Sequence, residues 1–316
     1  MSGTGRVCIS LFLVIFSIGC KPDTKKESDK IIAESPIKSS SVVVVTKGME
    51  FQCTDTITSG WNTFVYKNLS TEPHFILLDK YPEGKSIKDM EAYVLPPFDE
   101  GMALIMEGKN EEAMEAFGKL PEWFSQIVFS GGIGLISPKE TAITHVNLQP
   151  GYYIMECYVK MPNGQFHSSM GMIKELIVLD VSSGNKPPNS DIEIIISSEK
   201  GIVIHGDASV GKNVFSVKYG DQIVHENFVG HDINLARLDD GANLDTLETW
   251  MNWAIPRGLM SASSPEGIKF LGGTNDSPEG SVLYFEADLK PGNYVFVSEV
   301  PNAREKGMLQ TFTVSE

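Results

Sequence analysis

Four short anchors occur twice in this chain, in the same order. Pro73-His74-Phe75-Ile76 returns as Gly230-His231-Asp232-Ile233, and Phe129-Ser130-Gly131-Gly132 as Phe270-Leu271-Gly272-Gly273. Leu148-Gln149-Pro150-Gly151-Tyr152-Tyr153 returns as Leu289-Lys290-Pro291-Gly292-Asn293-Tyr294, and Gly171-Met172 opens the same kind of segment as Gly307-Met308. Gly131 and Leu148 are 17 positions apart, and so are Gly272 and Leu289. A chain built this way folds one unit twice, and 316 residues is a comfortable length for two domains.

The segments between the anchors have the period of strands. Trp61, Phe64 and Tyr66 stand opposite Thr63, Val65 and Lys67, and Ala142, Thr144, Val146 and Leu148 alternate inward. That leaves His145 and Asn147 on the wet face. The period changes over about 86–127: Ser86 is placed to cap a short helix ending before Pro96-Pro97, Phe98 to Glu107 continues helically, and Asn110 caps a further turn. The second copy carries a similar insertion from about Asn243, with Leu244, Leu247, Trp250 and Met251 on one face. The expectation is all-β: two tandem Greek-key, antiparallel β-sandwiches over 42–181 and 191–316, each with a helical insertion. Residues 182–190, with Pro187-Pro188, are the linker.

The N-terminus is read as targeting rather than fold. Arg6 precedes an apolar run, Val7 to Ile18, too short for a stable span, and Ser17-Ile18-Gly19-Cys20 resembles a bacterial lipobox. This implies a signal peptide over 1–19, lipidation at Cys20, and a partner in the membrane of the cell envelope, the outer membrane in the expected case. Residues 20–41 are too polar to bury a core and read as a tether.

A net charge of -15 argues against nucleic acid, which needs Lys and Arg against phosphate. An acidic surface suits solubility or a basic redox or binding partner. Gly206 to Lys212 lacks the spacing of a phosphate loop, and no nucleophile–base or paired-carboxylate constellation can be singled out, so an enzyme is not expected.

The run L-x-P-G-x-Y, then a strand, then a hairpin with Gly-Met, together with Pro-His before an apolar strand, resembles the cupredoxin superfamily of blue-copper proteins. The resemblance implies one copper ion in the first half, held by His74, Cys157 and His167 with Met172 as a weak axial ligand, for electron transfer or copper holding. The second half is degenerate under the same resemblance. Ser298 stands where Cys157 stands in the first, and the segment Val300 to Lys306 is shortened and has no His. The His-x-His pairs of multicopper oxidases are absent from the sequence.

Local chemistry pulls the other way. Pro162-Asn163-Gly164-Gln165 looks like a hairpin with a two-residue Asn-Gly turn. In that register Cys157 faces Met170, Lys160 faces His167, and His167 points away from the thiol. A Cys53–Cys157 disulfide is the competing use of the thiol, since an exported chain meets oxidising conditions. The corresponding metal-free reading is a scaffold that binds protein or glycan through Trp123, Trp250 and Trp253.

Overall fold

Residues 41–316 are described by the structure, a computed structural model. The first half contributes β1 (Val42–Thr46), β2 (Thr56–Asn68), β3 (His74–Lys80), β4 (Val128–Ile136), β5 (Thr141–Leu148), β6 (Gly151–Glu156) and β7 (Ile173–Ser182). The second contributes β8 (Ile192–Ser197), β9 (Gly201–His205), β10 (Gly211–Tyr219), β11 (Ile233–Leu238), β12 (Ile268–Thr274), β13 (Val282–Leu289), β14 (Gly292–Val297) and β15 (Leu309–Val314). In the first half β4, β3, β6 and β7 form one layer, and β1, β2 and β5 the other. The second half repeats this frame, with β12, β11, β14 and β15 in one layer and β13, β10, β8 and β9 in the other. The fold is all-β, with the same two-layer frame in both halves.

The repeated anchors have backbone causes. Gly132 and Gly273 adopt φ of 140° and 135°, and a Cβ there would stand 2.0 Å from the Ile76 carbonyl and 1.9 Å from that of Ile233. Each glycine therefore lets a strand press against the strand that begins at the repeated His in the first half and two residues after it in the second. In the L-x-P-G-x-Y anchors, the Tyr153 hydroxyl donates to the Gln149 carbonyl at 2.9 Å, and Tyr294 to Lys290 at 2.8 Å. Both tyrosines are buried and lock the same corner.

The sheets are mixed rather than purely antiparallel. β1 and the last residues of β7, from Ile177 to Ser182, run parallel to β2, and β8 runs parallel to β10. A register shift at Thr58–Ser59 and a left-handed Gly60 bend the long β2, so that its start pairs with β7 and its remainder with β5. The strand β7 extends to Ser182, the first residue assigned to the linker. The next residues are pinned to β2, Ser183 N–H to Ser59 O at 2.8 Å and Asn185 Nδ2 to Trp61 O at 2.9 Å.

The first insertion also departs from expectation. Ser86 and Asp89 form a capping box, but the helical path continues through a π-turn (Met90–Val94) into Leu95–Met106. Pro96 and Pro97 occupy the first turn of that last piece, where amide donors lack partners and proline is tolerated. Lys109, not Asn110, is the cap residue of the helix Asn110–Phe117. In the second half Asn243 caps Leu244–Met251, accepting from Thr246 N–H at 2.9 Å.

The halves are joined by more than a linker. β5 pairs with β13 and β4 with β12, each strand meeting its own counterpart in the repeat. Thr144 lies opposite Phe285, and His145 and Tyr284 flank them on one side with Ile143 and Glu286 on the other. His145 is therefore no surface residue: Thr63 Oγ1 holds its Nδ1 at 2.9 Å and Glu286 its Nε2 at 3.0 Å.

Gly132→Ala should cost ~3 kcal/mol or more in urea unfolding, because the added methyl meets backbone and the φ is left-handed. Gly48→Ala, with open space around its Cα and no left-handed φ, should be near neutral.

Candidate metal centre

His74 is the first residue of β3, directly after Pro73 and at the end of a tight polar loop. Asn68 fastens that loop: its Nδ2 donates to the Glu72 carbonyl at 2.7 Å, and its Oδ1 accepts from the Ser70 hydroxyl at 2.7 Å. With its proton committed to Asn68, Ser70 Oγ accepts from His74 Nε2 at 3.0 Å. The imidazole is thereby fixed as the tautomer whose Nδ1 carries a lone pair.

Cys157 follows the last residue of β6 and is fully buried. The hairpin beyond it is not the two-residue turn that Asn163-Gly164 suggests. Only Gly164 is left-handed, at φ 85°, whereas the tight Asn-Gly turn needs both residues there. Pro162 and Asn163 instead make a type I turn, closed by Gly164 N–H to Met161 O at 2.9 Å and Met161 N–H to Gln165 O at 2.8 Å. The register moves by one: Lys160 pairs with Phe166, and His167 N–H donates to Val159 O at 2.8 Å. Val159 shares a face with Cys157, so His167 comes to that face too. A turn over Ser168–Met170 and left-handed Gly171 then re-enter β7, where Cys157 N–H bonds Met172 O at 3.3 Å.

The outcome is convergence. His74 Nδ1 lies 3.1 Å from His167 Nδ1, and Cys157 Sγ lies 3.8 Å from each. A triangle with those sides has its centre about 2.1 Å from every corner. Metal–imidazole and metal–thiolate bonds run about 2.0–2.3 Å. All three residues are wholly inaccessible to solvent. With the lone pair of His74 Nδ1 aimed at a second ring nitrogen 3.1 Å away, the arrangement is satisfied by a proton on one ring or by a cation between them. The two imidazoles and the thiol also make up the one group of three or more such ligands that converges among the described residues.

Burial sets the protonation states. It lowers His74 to about 3, assisted by the neighbouring His167, and lowers His167 to about 4, so both rings are neutral at ordinary pH. It pushes the Cys157 thiol up to about 12, although the backbone N–H groups of Phe75 and Val159 favour the thiolate. His167 Nε2 lies 3.2 Å from Glu72 Oε2, an approach too oblique for a hydrogen bond, and both atoms are otherwise unpartnered.

The remaining expected residues sort clearly. Met172 is fully buried at the strand beside Cys157, while Met170 is 46% exposed. Cys53 and Cys157 are both free, so the disulfide is not formed; Cys53 Sγ instead lies 3.9 Å from Met155 Sδ. Trp250 and Trp253 are buried and Trp123 is half-buried, which removes the exposed aromatic surface of the scaffold reading. Cys20, the signal peptide and the tether lie outside the described residues.

Three supporting residues escaped sequence reasoning. Ser70 and Glu72 sit four and two residues before His74, close enough to have been flagged by position. Lys160 carried no such signal. Its Nζ is buried and donates to the Trp253 and Ile255 carbonyls, each at 2.6 Å, while its backbone bonds Leu259 O at 2.7 Å and Ser261 N–H at 2.9 Å. Burial lowers its ammonium to about 7. The ligand hairpin is thus held by a loop of the second half.

At the equivalent place in the second half the polar atoms satisfy one another. Ser298 Oγ donates to Asp232 Oδ1 at 2.7 Å, and Glu299 N–H donates to the same oxygen at 2.7 Å. His231 is buried, with Nδ1 3.0 Å from the Asp221 carbonyl and Nε2 2.9 Å from His225 Nε2.

No protein-family model and no curated protein matches the chain. Among solved structures, auracyanin A, a "blue" copper protein from Chloroflexus aurantiacus, is 20% identical with a TM-score of 0.27; the match covers 44% of this chain and 98% of that one. A dithionite-reduced auracyanin from Roseiflexus castenholzii is 19% identical over 45% of this chain and 98% of that one, with a TM-score of 0.26. A multicopper oxidase is 13% identical over 87% of this chain and 88% of that one, with a TM-score of 0.21.

In the metal-free protein, NMR of the imidazole rings should find His74 and His167 neutral from pH 7 down to about pH 5, above both depressed values. The unfolded rings would titrate near 6.5, so burying them costs stability as the pH falls below that value. Replacing His167 with Asn should accordingly make the melting temperature fall less on acidification from pH 7 to about pH 5.

Proposed function

We propose that the first half would hold one copper ion through His74 Nδ1, Cys157 Sγ and His167 Nδ1, with Met172 as a further, weaker ligand. The observation that carries this reading is the triangle of ligand atoms, whose centre is at bonding distance from all three. Two imidazoles and one thiolate in a trigonal set suit copper in electron-transfer sites. Copper so held supplies a one-electron redox change.

The chain's own part is to prepare the ligands. Ser70 holds the His74 tautomer, burial keeps both rings unprotonated, and the amides of Phe75 and Val159 stabilise negative charge on sulfur. Water is excluded from all three ligands, and Lys160 fixes the hairpin that carries two of them. A rigid dry site of this kind serves single-electron passage or copper holding rather than turnover of a substrate. In the same proposal the body is tethered to the cell envelope by a lipid on Cys20, where it meets a redox partner.

Copper(II) added to the metal-free protein should give an intense visible thiolate-to-copper band and release about one proton per ion near pH 7, because the thiol must ionise to bind. Cys157→Ser should abolish the band, and His231→Ala should keep it. A folded wild-type protein that binds no copper would sink the proposal.

A further inference from the structure

Glu156 and Cys157 are consecutive, so their side chains leave the chain on opposite faces. On the face away from the thiol, Glu156 joins Asp79 of β3 and Asp276, just after β12, around a cavity of about 80 Å³. Asp79 is 2% exposed, and its Oδ1 has no hydrogen-bond partner. Asp276 is 7% exposed and accepts only the Gly230 N–H, at 3.2 Å on Oδ2. No Lys, Arg or His lines the cavity. Its walls are aromatic, from Phe98, Phe124, Phe228 and Trp253, and Phe228 stands at the mouth, 38% exposed.

We propose that this cavity binds a small organic cation, a methylated ammonium group, with its charge against Asp79 and Asp276 and its methyls against the aromatic rings. Each alternative fails on a feature of the site. An anion would face three carboxyls, and a neutral apolar molecule would leave Asp79 Oδ1 unpaired in a dry site. A bare metal ion needs oxygens that converge, and these carboxyls do not form a ligand cluster. Aromatic carbon also cannot replace an ion's hydration shell, whereas ring faces attract quaternary ammonium directly. The space is several times the roughly 10–15 Å³ that one water requires, and about half that of a cavity that holds benzene. It therefore suits a head group whose remainder leaves through the open mouth. Desolvation pushes both Asp79 and Asp276 well above the carboxylate range, and neighbouring carboxyls, Glu156 beside Asp79 and Asp232 near Asp276, add to the effect. None of the three copper ligands lines the cavity, so the inference stands apart from the copper reading.

The test is calorimetry on the full chain with choline and with its neutral isostere 3,3-dimethyl-1-butanol. Choline should bind saturably with one site, and the isostere should bind at least about tenfold more weakly. Asp79→Asn should weaken choline at least about tenfold. Phe228→Leu, a change at a partly exposed wall residue that keeps an apolar side chain there, should weaken it about threefold or more. The proposal is overturned if the folded wild type takes up no choline by about 10 mM. Equal binding of the isostere, or wild-type affinity in Phe228→Leu, would overturn it as well.

Discussion

Backbone hydrogen bonds between β5 and β13, and between β4 and β12, set the terms for everything else in this protein. A sandwich half closes its own core, but its outer strands still carry unpaired amides. Here each half satisfies them with the corresponding strand of the other, Thr144 against Phe285 at the middle of the seam. The core is consequently continuous from Val42 to Val314. The seam also brings the loop after Trp250 under the ligand hairpin, where Lys160 can reach its carbonyls. The geometry at Cys157 and His167 therefore depends on a half that offers no equivalent ligand set of its own.

Much of this was readable from sequence because it rests on backbone demands. Gly132 and Gly273 cannot be replaced by a residue with a Cβ, and Tyr153 and Tyr294 close the same corner, so the anchors survive in both copies and give away the repeat. What was misread depended on packing at a distance. Asn163-Gly164 satisfies two kinds of hairpin, and the choice sets the face of His167; Pro162 at the first corner of a type I turn was the local clue to the right one. Nothing near Lys160 reveals that its amine ends among carbonyls 93 and 95 residues away. His145 and Trp253 looked solvent-facing because periodicity reports only which face of an element a residue occupies, and the other half of the molecule covers those faces.

The two clusters on either side of β6 and its extension differ in how they balance charge. On one side, two neutral rings and a thiol gather electron pairs around a point. On the other, carboxyls gather with no basic group among them. Carboxyls are costly to bury in their charged form without a positive partner, whereas neutral rings and a thiol need only hydrogen-bond partners. Adjacent residues of one chain, Glu156 and Cys157, thus belong to two clusters of different chemistry.

At the equivalent place the second half satisfies its polar groups from within. Ser298 and Asp232 hydrogen-bond each other where the first half sets Cys157 beside Phe75, and the Glu299 amide is drawn onto the same carboxylate. His231 has turned both nitrogens to other partners. Each of these contacts supports the others, so a sulfur placed at position 298 alone would meet a buried carboxylate and no free imidazole. A half whose polar groups at this place form a self-sufficient network cannot be given a ligand set by one substitution, and it serves as the fixed support on which the Lys160 hairpin rests.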